Sequence, residues 1–159
     1  IPTHGGETCL SNMYLAYEHI SSELKQKLIG RKVLQAYDFA LRGRVDLEEI
    51  GLENIQHYWQ PIFVQHPETG RIALYVSRLI SARIEGLDAT ESRETLEQLY
   101  EISENTQVVY EHSWQVGDLL MWDNRCSIHS RKDFPAEQRR MLRRCTVEGG
   151  PMIEADQAA

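Results

Sequence analysis

From Gln107 onward the side chains of this sequence change character at every second residue, and that period points to strands in the last third of the chain. Val108, Tyr110, His112 and Trp114 fall on one face, Gly117-Asp118 supplies a turn, and Leu119-Leu120-Met121-Trp122 follows as a second apolar run. Further on, Arg140, Leu142, Arg144 and Thr146 alternate with Met141, Arg143, Cys145 and Val147. A last strand over these residues puts Arg140 and Arg144 on one face, roughly 13 Å apart at about 3.3 Å per residue.

The first half is mixed. Gly5-Gly6 reads as a turn. Ser11 to Tyr17 and Ser21 to Ile29 read as two short helices, with Ser21 as an N-cap, Leu24 and Leu28 on one face, and Gly30 as the stop. Val33 to Phe39 is a strand candidate, whereas Leu41 to Gln60 is polar, carries Gly43 and Gly51, and predicts a mobile excursion with some helix. Pro61 to Gln65 and Ile72 to Ser77 flank His66-Pro67-Glu68-Thr69-Gly70-Arg71, whose Pro and Gly predict a β-hairpin. Asp88 with Glu91 opens a helix of about three turns carrying Leu96, Leu99 and Tyr100 on one face. The tail from Gly149 contains Gly and Pro and is acidic, so 152–159 is expected to fray. The fold class expected is mixed α/β and mainly β, in a single domain.

Composition narrows the partners. A net charge of −7 without a long basic run argues against nucleic acid and anionic membrane. A small molecule is the better expectation, and a homo-oligomer stays possible. Cys9, Cys126 and Cys145 are odd in number and form no CxxC pair, so neither a disulfide framework nor a thiolate zinc site is expected. A reducing cytoplasm suits such a chain. There is no initiator Met, and Ile1-Pro2-Thr3-His4 reads like the middle of a longer protein.

The segment Trp122-Asp123-Asn124-Arg125-Cys126-Ser127-Ile128-His129 carries the chemistry, together with Arg140 and Arg144, eleven and fifteen residues past the histidine. An imidazole just after a turn can hold a metal, and two permanent cations on the next apolar segment can hold a dicarboxylate co-ligand. Such spacing points to an iron and 2-oxoglutarate site. A non-haem Fe(II) centre that activates oxygen uses two histidines and one carboxylate, with positions left open. No convincing His-X-Asp/Glu pair accompanies His129, and taken alone it reads more readily as a satisfied structural histidine than as a ligand. His66-Pro67-Glu68 has the letters of such a pair but is turn chemistry. Trp122, Trp114 and Tyr110 read as core, and Asp123 and Asn124 as organisers of the turn.

The motifs Pro2-Thr3-His4-Gly5-Gly6-Glu7-Thr8, His66 to Arg71, and Gly117-Asp118 through Trp122-Asp123-Asn124-Arg125 to His129, Arg140 and Arg144 together resemble the TauD/TfdA family, in order and spacing, from residue 2 to about 151. The resemblance implies a double-stranded β-helix, or cupin-like jelly roll, with helices outside one sheet. Residues 1–151 would be the C-terminal portion of that domain, lacking the N-terminal His-X-Asp motif. It implies an Fe(II)- and 2-oxoglutarate-dependent dioxygenase that uses O2 on a small anionic organic substrate, of the alkylsulfonate, sulfate-ester or aryloxyalkanoate class, and releases succinate and CO2. By resemblance His129 is the distal iron ligand, Thr8 and Arg140 hold the 2-oxoglutarate carboxylate remote from the metal, and Arg144 faces the metal-bound end of the co-substrate and the substrate's anionic head. A non-enzymatic jelly-roll module that binds a small carboxylate, or a catalytically incomplete fragment, is the alternative.

Overall fold

A computed structural model describes residues 1–37 and 51–155. It contains three antiparallel three-stranded sheets with helices against them. Strand β1 (Thr8–Asn12) lies at the centre of the first sheet, between β7 (Val109–His112) and β8 (Ser127–Arg131). In the second sheet β2 (Lys32–Tyr37) is flanked by β3 (Gln56–Pro61) and β6 (Ser81–Ile84). The third has β4 (Phe63–Gln65) between β5 (Ile72–Leu74) and β9 (Ile153–Glu154).

The helices form where the local signals put them. Asn12 ends β1 and caps α1 (Met13–His19), its side-chain oxygen accepting from the amides of Tyr14 and Leu15. Ser21 caps α2 (Ser22–Leu28), and Gly30, at φ 73°, takes the left-handed turn that follows it. Asp88 caps α3 (Ala89–Ser103), which at 15 residues is just over four turns and exceeds the three expected. The core collects Met13, Leu28, Val33, Ile62, Leu96 and Leu99, all essentially without solvent contact. Truncating one such leucine to alanine costs about 2–5 kcal/mol. Two buried hydrogen bonds tie α3 to the sheets: Tyr100 donates to the Ser81 carbonyl at 2.8 Å, and Ser11 Oγ donates to the Ser103 carbonyl at 2.6 Å. The second fixes β1, and with it the first sheet, against the core.

The hairpin over 61–77 is present, with Phe63 opposite Leu74 and Gln65 opposite Ile72. Several expectations need correction. Ser11 belongs to a strand, and the helix begins at Met13, because Thr8 to Asn12 finds ladder partners on both sides. Residues 56–61 of the supposed excursion form β3, paired with β2 along its whole length, while 41–50 lie outside the described residues. Residues 119–122 and 140–147 form no strand. They have the alternation, but no described strand offers either of them a hydrogen-bonding edge, and an unpaired strand leaves its backbone groups to water. Leu119 and Met121 accordingly stand 82% and 81% exposed. The tail is not wholly frayed: Glu154 and Ile153 pair with Val64 and Gln65, Ala155 is buried and donates its amide to Phe63, and only 156–159 lie outside the described residues.

Candidate functional site

The first sheet carries the candidate residues. Leu10 on β1 is paired with His129 on β8, and Thr8 is paired with Arg131. Partners across a ladder share a face, as do residues two apart along a strand. Thr8, His129 and Arg131 therefore project from the same side of the sheet.

Arg140 joins that side although it sits on no strand. Its Nε donates to the Gly6 carbonyl at 2.8 Å and its Nη2 to Thr8 Oγ1 at 3.3 Å. The Gly5-Gly6 turn makes this approach possible. Both glycines have positive φ, and a Cβ on Gly6 would stand 3.1 Å from Arg140 Cδ. A Cβ on Gly5 would meet the Asp133 carbonyl oxygen at 2.2 Å, and the Gly6 amide donates to that same oxygen. The turn and the segment 133–140 are thus locked together backbone to backbone. Among the described residues Arg140 has no carboxylate partner. Partial burial and the neighbouring charge of Arg131 lower its pKa from the ordinary arginine value. A guanidinium in this setting, next to a second cation and a buried hydroxyl, has the charge and the donors to hold an anion. A cavity of about 190 Å³ opens beside it, lined by Gly5, Gly6, Glu7, Trp114, Arg140 and Leu142 among others. One oxygen of Glu7, Oε2, is buried without a hydrogen-bond partner, so the cavity itself is mixed in charge. Thr8 is not among its walls.

His129, on the exposed end of β8, differs from the buried His66. Its ring packs on Trp122, with centroids 5.1 Å apart, and neither nitrogen makes a hydrogen bond among the described residues. Desolvation by the surrounding chain, then the charge of Arg144, lower its pKa from the ordinary histidine value, which favours the neutral imidazole. A neutral imidazole with a free lone pair is the form that ligates a metal. Arg144 itself is exposed and touches the site only through that electrostatic influence. The structure therefore brings Thr8 and Arg140 together, places His129 on their face, and leaves Arg144 at the edge.

His66 shows the contrast. His66, Asp123 and Cys126 place ligating atoms within 4.8 Å of one another, the one such group of three among the described residues. Yet His66 Nδ1 accepts from the amides of Glu68 and Thr69, and its Nε2 faces Asp123 Oδ2 at 3.1 Å. That network assigns the proton to Nε2 and leaves no lone pair for a metal. Asp123 is also held by Arg125 through its Nε and Nη2, which pushes the carboxyl well below the usual carboxylate range. The group is a knot that pins the 66–71 turn to the 123–127 turn, from which β8 starts and delivers His129.

The donor set around His129 is incomplete for a facial triad. The described residues supply one imidazole there and no second histidine or carboxylate. Arg140 and Thr8 have the chemistry to hold a carboxylate, whereas the metal ligands present among the described residues do not complete a metal site. Trp114 was expected as core but reaches the site, its Nε1 donating to Thr8 Oγ1 at 2.9 Å. Only its shared alternation with Tyr110 and His112 hinted at that.

Fold and site together define a mainly β protein in which a guanidinium and a buried hydroxyl share a sheet face with an imidazole free of hydrogen bonds among the described residues. The chain belongs to the taurine catabolism dioxygenase TauD, TfdA family, whose sequence pattern matches residues 1–146. It is 36% identical over 155 residues to the alpha-ketoglutarate-dependent 2,4-dichlorophenoxyacetate dioxygenase of Burkholderia sp. (strain RASC), covering 94% of this chain and 50% of that protein. It is 31% identical over 157 residues to the pentalenolactone F synthase of Streptomyces avermitilis, covering 90% of this chain and 51% of that protein. The chain thus spans about half the length of the curated relatives it matches. Among solved structures it is similar to a taurine dioxygenase from Burkholderia xenovorans, with TM-score 0.69 and 29% identity over 84% of this chain and 44% of that one. AAD-2, crystallised with Mn(II) and N-oxalylglycine, shares the fold at TM-score 0.77 and 24% identity, over 99% of this chain and 60% of that one.

Proposed function

We propose that residues 1–151 are the C-terminal portion of an Fe(II)- and 2-oxoglutarate-dependent dioxygenase with a double-stranded β-helix. In this reading His129 is one iron ligand, and a histidine and a carboxylate from chain outside these residues complete the triad. Bound there, the metal would supply the activation of O2. The balance is one 2-oxoglutarate, one O2 and one substrate C–H giving succinate, CO2 and the C–OH product. This chain's own contribution is positional. Arg140 and Thr8 hold the carboxylate remote from the keto acid, which fixes the co-substrate in one orientation, and Arg144 is assigned to the anionic head of the substrate on the family resemblance alone. The observation that carries the proposal is the meeting of Arg140 with Thr8 on the face of His129, with no carboxylate among the described residues paired to the guanidinium.

The substrate is a small organic anion. Relatives are named for 2,4-dichlorophenoxyacetate, for (S)-phenoxypropionate and as an alkylsulfatase, which share an anionic head. The net charge of −7 argues against nucleic acid or an anionic membrane as partner, and no helix among the described residues is long and apolar enough to cross a membrane. Three free cysteines suit a reducing cytoplasm. A homo-oligomer is compatible with this reading.

A second reading, a carboxylate-binding module without catalysis, is favoured by one observation: His129 stands apart from any group of three ligating side chains among the described residues. Succinate formation from 2-oxoglutarate and Fe(II) with a panel of sulfonates, alkyl sulfates and aryloxyalkanoates separates the two. The dioxygenase reading expects turnover in protein carrying the complete ligand set, abolished by His129→Ala. Turnover that survives the substitution removes His129 from the site, and binding without turnover selects the module.

A further inference from the structure

Thr8 Oγ1 receives two hydrogen bonds at once, from Trp114 Nε1 at 2.9 Å and from Arg140 Nη2 at 3.3 Å. A hydroxyl has two acceptor lone pairs and one proton. With both lone pairs taken, the proton must be donated, and Thr8 is 6% exposed, so water is largely shut out. Among the described residues nothing accepts it. Indole is donor-only, so Trp114 can never reverse the bond and take the proton itself. Tyrosine, serine or histidine in its place could.

Trp114 is itself braced. The His112 ring meets it edge to face, with centroids 4.6 Å apart and planes at 87°. His112 Nε2 lies 3.1 Å from Asp118 Oδ2 and its Nδ1 lies 3.2 Å from the Tyr110 hydroxyl. Asp118 Oδ2 also accepts the Gln115 amide at 2.8 Å, and Gly117 takes φ 99° to close the turn. A line of contacts therefore runs from the Gly117-Asp118 turn through His112 and Trp114 to the hydroxyl of Thr8.

The geometry points to Trp114 as a positioning residue that fixes Thr8 as an obligate hydrogen-bond donor to an acceptor-only ligand group, the carboxylate of the co-substrate. The inference rests on the reading of the Arg140 and Thr8 pair as a 2-oxoglutarate seat. In that arrangement one carboxylate satisfies the Thr8 proton together with the guanidinium N–H groups of Arg140 that Gly6 and Thr8 do not use. Trp114 touches no ligand itself. It acts by removing the alternative orientation of the hydroxyl, so the seat is prepared before binding and less order is lost when the ligand arrives.

Calorimetric titration of 2-oxoglutarate into the purified protein and its Trp114→Phe, Thr8→Val and double variants tests this. Phenylalanine keeps an aromatic ring beside His112 and removes the donor together with one fused ring, and the Thr8→Val background separates the two losses. Trp114→Phe should weaken binding about tenfold, as expected when a hydrogen bond to a charged group loses its alignment. In the Thr8→Val background the same substitution should change nothing further, because its route to the ligand is gone. A residue that merely supports the fold would cost the same in both backgrounds, so additive losses overturn the inference, as does unchanged affinity in Trp114→Phe. The indole N–H resonance of Trp114 gives a readout in the unsubstituted protein: it should shift on addition of 2-oxoglutarate, and a resonance that stays fixed while binding is saturated also overturns the inference. If the unsubstituted protein takes up no 2-oxoglutarate, or if Arg140→Gln leaves its uptake intact, the seat itself is wrong and the inference falls with it.

Discussion

Arg140 and Thr8 stand 132 positions apart in the sequence and meet at 3.3 Å, the guanidinium donating to the hydroxyl while its Nε is held by the Gly6 carbonyl. One end of the chain thereby supplies the strand and the turn, and the other supplies the charge. The pair is partly buried and stays positive overall, which is the condition for holding an anion.

Replacing Arg140 by lysine should weaken 2-oxoglutarate binding by about ten- to a hundredfold, because a point charge cannot reach the Gly6 carbonyl, the Thr8 hydroxyl and a carboxylate together. Thermal stability should change little. Calorimetry of the variant checks the first statement and a melting curve the second.

The Gly5-Gly6 turn should tolerate no side chain. Gly5→Ala, which drives a Cβ to 2.2 Å from a backbone oxygen, should cost more than Gly6→Ala, whose Cβ meets the flexible Arg140 side chain at 3.1 Å. At Gly70 the φ is also positive but the nearest atom is 3.9 Å away, so alanine there pays only the backbone strain of about 1 kcal/mol. Chemical denaturation should rank the losses Gly5, Gly6, Gly70. Gly6→Ala alone should show reduced affinity for 2-oxoglutarate out of proportion to its loss of stability.

Asp123 links stability to pH. Hydrogen bonds from Arg125, then from His66, hold its carboxyl below the usual range, so the folded protein resists protonating it more than the unfolded chain does. The stabilisation is complete above the ordinary aspartate pKa of about 4 and drains away as pH falls below that toward the lowered value. Asp123→Asn should therefore melt a few degrees lower at pH 7, with the gap closing in acid. The carboxylate is a third exposed, which keeps the effect modest. A gap that widens on acidification would contradict this assignment.

Several turns and caps that frame the candidate site and the fold were legible in the sequence because local chemistry fixes them. The His66 to Arg71 hairpin, the Asp88 cap and the Gly5-Gly6 turn each follow from the residues that compose them. The strand β1 was not legible: Thr8 to Asn12 is too short to show a period, and it is a strand because β7 and β8 pair with it. The reverse error arose at 119–122 and 140–147, where alternation was clear but no described strand pairs with them. Period two states which side chains would share a face, and only a neighbouring edge makes a strand of them. Trp114 was read as core for a related reason, since nothing in its own neighbourhood announces a hydroxyl 106 positions away.

The most direct measurement is a crystal structure of the protein soaked with 2-oxoglutarate. The account predicts that the carboxylate remote from the keto group lies within hydrogen-bond distance of both the Arg140 guanidinium and Thr8 Oγ1, with the keto acid end directed toward His129. A 2-oxoglutarate bound elsewhere, or bound with its keto acid end on Arg140, would contradict it.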